Sequence, residues 1–361
     1  MANERIISAD SHVGIRDDAV LAHLPAQHRE GYQQARMAHA QRLLARARKK
    51  GAGGGLPIAS ADKPWAAAGR PGEFDPIERL KDMDTDGVEA EVLYSDIEAG
   101  ASFHQMKAGG RLAAFRAFND VALEFASADP KRLVVVTLVP IVEVKEAVAE
   151  VERLAREGAR AFMLPLYPTD LGLAPYFDAG YAPLWSAIEE TGIPISQHVG
   201  ANEALWHVLQ YDTTPAKGIF QSLPPVFMAE VLANWIVGGV FQRHPKLQVV
   251  LVEAGLGWIP YFLERLDTMQ TRHGWDPFEM IPERPSHYWH QNMWATFEED
   301  TYGVSQRHRL GVDNLMWATD YPHPDSTWPH SQKVLETHFA DVPVEEARPM
   351  IGGTAARLYR L

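Results

Sequence analysis

No cysteine occurs anywhere in the 361 residues, which removes disulfides, thiolate metal ligands and cysteine nucleophiles from consideration. Positive charge is also scarce: 34 Lys and Arg stand against 47 Asp and Glu, a net charge of −13. Nucleic-acid binding draws its affinity from neutralising phosphates, so this balance argues against such a partner. No run reaches the roughly 20 apolar residues of a membrane span. The nearest, Val226–Phe241, is interrupted by Glu230 and Asn234 and reads as a core-facing helix. The first residues, MANERIISAD, lack the basic-then-apolar layout of a secretory signal. There is no G-x-S-x-G nucleophile elbow. The one Gly-rich run, GAGGG, has no strand before it, as a phosphate loop requires. The expectation is a cytoplasmic enzyme acting on a small molecule, with neither a membrane nor a nucleic acid as partner.

What the chain does contain is a rhythm. Eight short apolar runs recur: Arg5–His12, Glu89–Asp96, Leu133–Pro140, Ala159–Leu166, Ile193–Val199, Leu247–Ala254, Met293–Glu298 and Leu315–Tyr321. Several read as nearly continuous apolar stretches (LVVVTLVP, LQVVLVEAG), as strands buried on both faces should. Segments with helical periodicity fall between them: Ala113–Ala128, Val144–Glu157, Tyr181–Thr191, Pro225–Arg243, Trp258–Arg272 and Glu299–Leu310. Ser331–Ala340 and Val344–Leu358 close the chain. This alternation predicts an α/β fold, a (β/α)8 TIM-like barrel in one domain over residues 1–361. One insertion, residues 13–75, breaks the rhythm after the first strand. It carries a basic helical stretch, AQHREGYQQARMAHAQRLLARARKK, and then GAGGG. Loops after barrel strands overhang the active site, so this helical insertion is expected to be a lid or a subunit contact.

The polar residues sit at the strand ends. A strand inside a barrel does not end in an unpaired charge without a reason, because burying one is costly. The first run ends ISADSH, and the two-residue spacing of Asp10 and His12 puts both side chains on one face. The fifth ends at His198, the sixth at Glu253, the seventh at Glu298, Glu299 and Asp300, and the eighth at Asp320 with His323 beyond. Each alone is a weak signal. In a barrel these ends form one small ring, where imidazoles and carboxylates suit Zn, Mn or Fe. Trp206 and His207 after the fifth run, and Trp328 after the eighth, are candidate walls of a substrate pocket. His104 is balanced between a site and a structural role. His244, His287 and His290 precede strands and fall on the stability face.

At these residues the sequence resembles the amidohydrolase-related family, amidohydrolase 2, that includes aminocarboxymuconate-semialdehyde decarboxylase. The resemblance rests on SADSH, on GGVFQRHPKLQVVLVEAGLGWIPYFLERLD, and on WATDYPH followed by GGTAARLY. It implies a divalent metal held by Asp10, His12, His198 and Asp320, with Asp320 as ligand or as acceptor of a proton from metal-bound water. It also favours dimers, either a homodimer or a hetero-oligomer with a related chain. Two departures stand out. Decarboxylases of the family usually carry a histidine after the sixth strand, where this chain has Glu253. The fourth run, AFMLPL, offers no lysine for a carbamylated bridge between two metals.

Three reactions follow. Metal-assisted hydrolysis of a small organic substrate is the leading expectation, with Asp320 moving the proton. Non-oxidative decarboxylation of an aromatic or unsaturated acid is the second, and it needs a proton donor in place of the missing histidine. The third is a dinuclear Fe or Fe/Mn oxygen-activating centre, in which Glu253 and His323, with His330 as a further candidate, hold a second metal. Some relatives with a DYPHPDSTWP-like segment use oxygen. Intact ligand spacing argues against a barrel that is only a structural partner.

Overall fold

A computed structural model of the chain describes residues 4–49, 69–95, 97–200, 214–272 and 281–361. Nine strands match the eight expected runs, β1 overrunning its run by one residue: β1 (Ile7–Val13), β2 (Ala90–Ser95), β3 (Leu133–Val135), β4 (Thr137–Leu138), β5 (Phe162–Met163), β6 (Ile195–His198), β7 (Val249–Val252), β8 (Met293–Phe297) and β9 (Leu315–Trp317). All pair in parallel, in two sheets ordered β1-β2-β3 and β4 through β9. The ladder is therefore not continuous round the barrel. Backbone hydrogen bonds nevertheless cross both seams. The third run serves both sheets: Val136 N donates to Leu93 O at 2.9 Å, and Thr137 N to Ala161 O at 3.0 Å. At the other seam Asp320 N donates to Asp10 O at 3.0 Å and His12 N to Tyr321 O at 2.5 Å.

The strands are apolar because both faces are covered. Every residue of β2, β6 and β7 is buried, and in β1 only His12 is partly exposed. The crossover helices stand close to where periodicity placed them, from Val144–Arg156 to Ile259–Arg272. Pro225–Arg243 is a correction in two respects. It divides into Pro224–Val237 and Val240–Arg243, because Gly239 adopts a left-handed backbone at φ 68°. The stretch Gly218–Arg243 is also long and apolar enough, by length and composition, to cross a membrane. Its apolar side is occupied here, since Met228, Val231, Leu232, Trp235 and Ile236 are buried against the barrel.

The insertion is helical, with Asp17–His23 and then Ala26–Lys49, the basic stretch. The GAGGG loop lies outside the described residues. Periodicity did not place the helices Ile97–Phe103, Thr214–Ser222 and Pro285–Asn292, nor Pro76–Asp86, the one that matters for the site. Asp75 caps it, accepting from Ile77 N and Glu78 N, Pro76 opens it, and Gly87 at φ 74° ends it. At the far end, the turn Pro349–Gly353 packs on the entry to β1 so closely that a Cβ on Gly352 would lie 2.2 Å from Arg5 O. Only glycine fits there.

Candidate metal centre

Six of the expected residues meet at the C-terminal ends of the strands. Asp10 and His12 come from β1, His198 ends β6, Glu253 follows β7, and Asp320 and His323 follow β9. His12 Nε2 lies 3.0 Å from Asp320 Oδ1 and 3.8 Å from Asp10 Oδ1. His198 Nε2 lies 3.6 Å from Asp10 Oδ1 and 3.8 Å from Glu253 Oε2. His323 Nδ1 sits 2.8 Å from Asp320 Oδ2. Two overlapping ligand sets result. Asp10, His12 and His198 form one and His12, Glu253, Asp320 and His323 the other, each with its donor atoms within 4.8 Å of one another.

The local backbone is bent to make this ring. Glu253 and Asp320 both take left-handed φ, 53° and 57°, which costs a non-glycine residue roughly 1–2 kcal/mol. Each is held there from outside. Glu253 N donates to Thr296 Oγ1 at 2.7 Å, and Asp320 N to Asp10 O. Strain retained at two facing strand ends is typical of a functional site.

A cation fits what the ring leaves unsatisfied. Both oxygens of Asp10 and Nε2 of His198 are buried with no hydrogen-bond partner. His198 Nδ1 donates to Val199 O at 3.0 Å, which fixes the tautomer and leaves Nε2 free to coordinate. An unpaired buried carboxylate is expensive, so a positive ion is the natural occupant.

The electrostatics agree. Burial holds the Asp10 carboxyl well above the usual carboxylate range, with Asp320 pushing the same way. Glu253 is raised by burial and then by Asp320. Burial and His323 drive His12 down to about 3, so it stays a neutral ligand. Burial would raise Asp320, but hydrogen bonds from His12 and His323 overcome it and leave this carboxylate ionised below its ordinary range. Burial works against charge on His323, yet its bond to Asp320 lifts it to about 9.

Other expected residues do not join the ring. Trp328 packs behind it: its Nε1 donates to Asp82 O at 3.1 Å, and Arg70 lies 4.4 Å above its ring. His104 is buried against Phe115 and hydrogen-bonds Gly100 O through Nδ1. His330 belongs to neither ligand set among the described residues. Trp206 and His207 lie outside the described residues. Two further residues stand at the ring: Tyr94, which sequence did not suggest, and Glu298, which sequence marked only as a strand end. Tyr94 of β2 sets its ring 5.1 Å from that of His198, with its hydroxyl 3.0 Å from Ser196 Oγ. Glu298 keeps a buried, unpartnered Oε1 and is raised by burial and then by Asp320 and Asp10. Its position directly after β8 was a legible signal, since every neighbouring strand ends in a ring residue.

The amidohydrolase family model matches residues 18–361. The chain belongs to the amidohydrolase family. Within it, the gamma-resorcylate decarboxylase of Rhizobium radiobacter is 26% identical over 305 residues, covering 78% of this chain and 86% of its own. The 5-carboxyvanillate decarboxylase of Sphingomonas paucimobilis superposes with a TM-score of 0.71 at 23% identity, over 99% of this chain and 100% of its own. That of Novosphingobium aromaticivorans, complexed with manganese and 4-hydroxy-3-methoxy-5-nitrobenzoic acid, gives 0.75 at 16% identity, over 99% and 97%. The fold of this amidohydrolase is thus the expected barrel. Hydrolysis, the leading expectation from sequence, is not what these relatives favour; they are carboxy-lyases.

Proposed function

We propose that this chain is a divalent-metal-dependent, non-oxidative decarboxylase of a hydroxylated aromatic acid. The observation that carries the reading is the His323–Asp320 pair. Decarboxylation breaks the bond from ring carbon to carboxylate and releases CO2, and a proton must replace it on that carbon. The reaction needs no oxidant. With no histidine at the Glu253 position, the proton source has to lie elsewhere, and His323 holds one at Nδ1 against Asp320 Oδ2 up to about pH 9. Its side chain is 42% exposed, so it can be reprotonated from solvent, while Asp320 is buried and faces the ring. Asp320 then relays the proton inward, and His323 refills it. When bound by Asp10, His12, His198 and Asp320, a divalent ion, manganese by analogy with the 5-carboxyvanillate enzyme, supplies positive charge to the substrate's carboxylate and hydroxyl oxygens. The direct test is a panel of 2,6-dihydroxybenzoate, 5-carboxyvanillate and other hydroxybenzoates with manganese-loaded protein, following CO2. Release from at least one is expected. Silence across the panel, with turnover of amides or lactones, would return hydrolysis to first place.

The second ligand set supports a second reading. Asp10, Glu253, Glu298 and Asp320 place four carboxylates at one ring, and a single divalent ion offsets two negative charges. Protonation of the two glutamates relieves the rest; so would a second cation on Glu253, Asp320 and His323, which is the dinuclear, oxygen-activating alternative. Mass-spectrometric metal content separates them. One metal per chain, unchanged in Glu253→Ala, is expected for the decarboxylase. Two metals, one lost in the variant, would favour the dinuclear centre.

A further inference from the structure

Packed against the segments that carry the ring is a buried cation with no place in the chemistry so far. Arg79, on the helix Pro76–Asp86, is fully buried. Its Nε donates to Glu91 Oε2 of β2 at 2.5 Å, and its Nη1 donates to His12 O at 2.8 Å and to Gly72 O at 3.2 Å. Its guanidinium lies 4.4 Å above the ring of Tyr321, the residue after Asp320. Arg79 thus grips the main chain at one metal ligand and the neighbour of another.

Glu91 extends the grip. Its Oε1 accepts from Ser11 Oγ at 3.3 Å, and Ser11 Oγ lies 2.9 Å from Thr319 Oγ1. Ser8 Oγ accepts from Thr319 N at 2.9 Å. Ser11 sits between Asp10 and His12, and Thr319 precedes Asp320. The same helix face reaches further along the loop after β9. Asp82, three residues on, accepts from Tyr321 Oη at 2.6 Å, and Asp86 accepts from Ser331 N at 2.9 Å. Stability gives a poor reason for this arrangement. A buried ion pair is often no better than an apolar pair of its size, and Arg79 Nη2 is left buried without a hydrogen-bond partner.

We infer that Arg79, with Glu91, is a positioning residue that fixes the β1 ligands Asp10 and His12 against Asp320 and so sets the metal affinity of the ring. The two ligand segments lie more than 300 positions apart in sequence; backbone and hydroxyl bonds join them directly, and Arg79 adds a contact to each, at His12 O and over the Tyr321 ring. This rests on the ring being a metal site, as proposed above, but not on which reaction it performs.

The test reads metal binding without substrate. Chelator-stripped protein is titrated with Mn2+ alone, free ion being followed by electron paramagnetic resonance, beside thermal melting of the stripped forms. In Arg79→Met/Glu91→Leu both buried charges leave together, so a merely structural pair predicts little change in either measurement. The expected result is a melting temperature near wild type with Kd for Mn2+ weakened by about 10- to 100-fold, the range for residues that orient metal ligands. A Kd within twofold of wild type overturns the inference. Should the double variant fail to fold, Arg79→Lys keeps the charge but not the fork, and the same two outcomes apply to it. A wild type that binds Mn2+ yet decarboxylates nothing removes the proposed reaction and leaves Arg79's role standing. One that binds no Mn2+ overturns both.

Discussion

Asp320→Asn is expected to lower kcat by about 10²- to 10⁴-fold in metal-loaded protein that keeps its fold. Both oxygens of this side chain are engaged, one at 3.0 Å from His12 and the other at 2.8 Å from His323. Asparagine has nearly the same shape and tolerates the left-handed backbone better than most residues, so the loop after β9 has no reason to move. It brings an amide in place of a charge. His323 then loses the group that lifts it to about 9, and its pKa falls as burial prevails. Neither the proton store nor the relay survives. The measurement is turnover at matched metal content, with the His323 titration followed by nuclear magnetic resonance. Turnover within tenfold of wild type would remove Asp320 from the proton path in any reaction at this ring.

Stripping the metal is expected to lower the melting temperature, and the loss should widen from pH 7 to pH 9. A ligand at about 1,000 times its Kd stabilises by about 4 kcal/mol. For a chain of this size that corresponds to roughly 5–10 °C. The pH trend follows from the direction of each shift. Asp10, Glu253 and Glu298 have raised folded-state values in the stripped protein, so their contribution is present at low pH and is lost as pH rises through those values. His323, raised to about 9, likewise loses its ion pair with Asp320 as pH approaches 9. His12, lowered to about 3, and Asp320, held low, are already neutral and ionised across this window and contribute no slope. The loaded protein escapes the penalty, because coordination needs the ionised carboxylates that high pH provides. Melts with and without chelator at the two pH values decide it. A gap that narrows toward pH 9 would contradict the assignment of Asp10 as a ligand.

Much of this centre was readable before any coordinates. The D-x-H of β1 is a period-two pattern, and buried strands with polar last residues force those residues onto one ring. What periodicity missed was the machinery behind it. The helix Pro76–Asp86 places Arg79, Asp82 and Asp86 on its inward face. Its inward face carries charges where an apolar stripe is expected, and the segment, which begins just after the insertion at 13–75, was not read as a helix. Its boundary was still written in Asp75-Pro76, a cap followed by the residue that most readily opens a helix. Trp328 illustrates the opposite error. An aromatic in a loop near the barrel mouth invites a pocket role, whereas its indole is committed to Asp82 and Arg70. The break at Gly239 was equally invisible to hydropathy, which registers two successive apolar helices as one.

The seam between β1 and the segment after β9 also dictates an order of assembly. His12 and Asp320 lie 308 positions apart, so the first ligands made wait for the last. At synthesis rates of about 5–20 residues per second the wait is roughly 15–60 s. Through that interval β1 has a neighbour in β2 on one side only, and the backbone groups on its other edge that pair with the segment after β9 wait for a partner. Only a chain that has emerged past Tyr321 covers that edge and completes the ligand ring in one event. A chain that stops short of Asp320 lacks that ligand and leaves this edge uncovered.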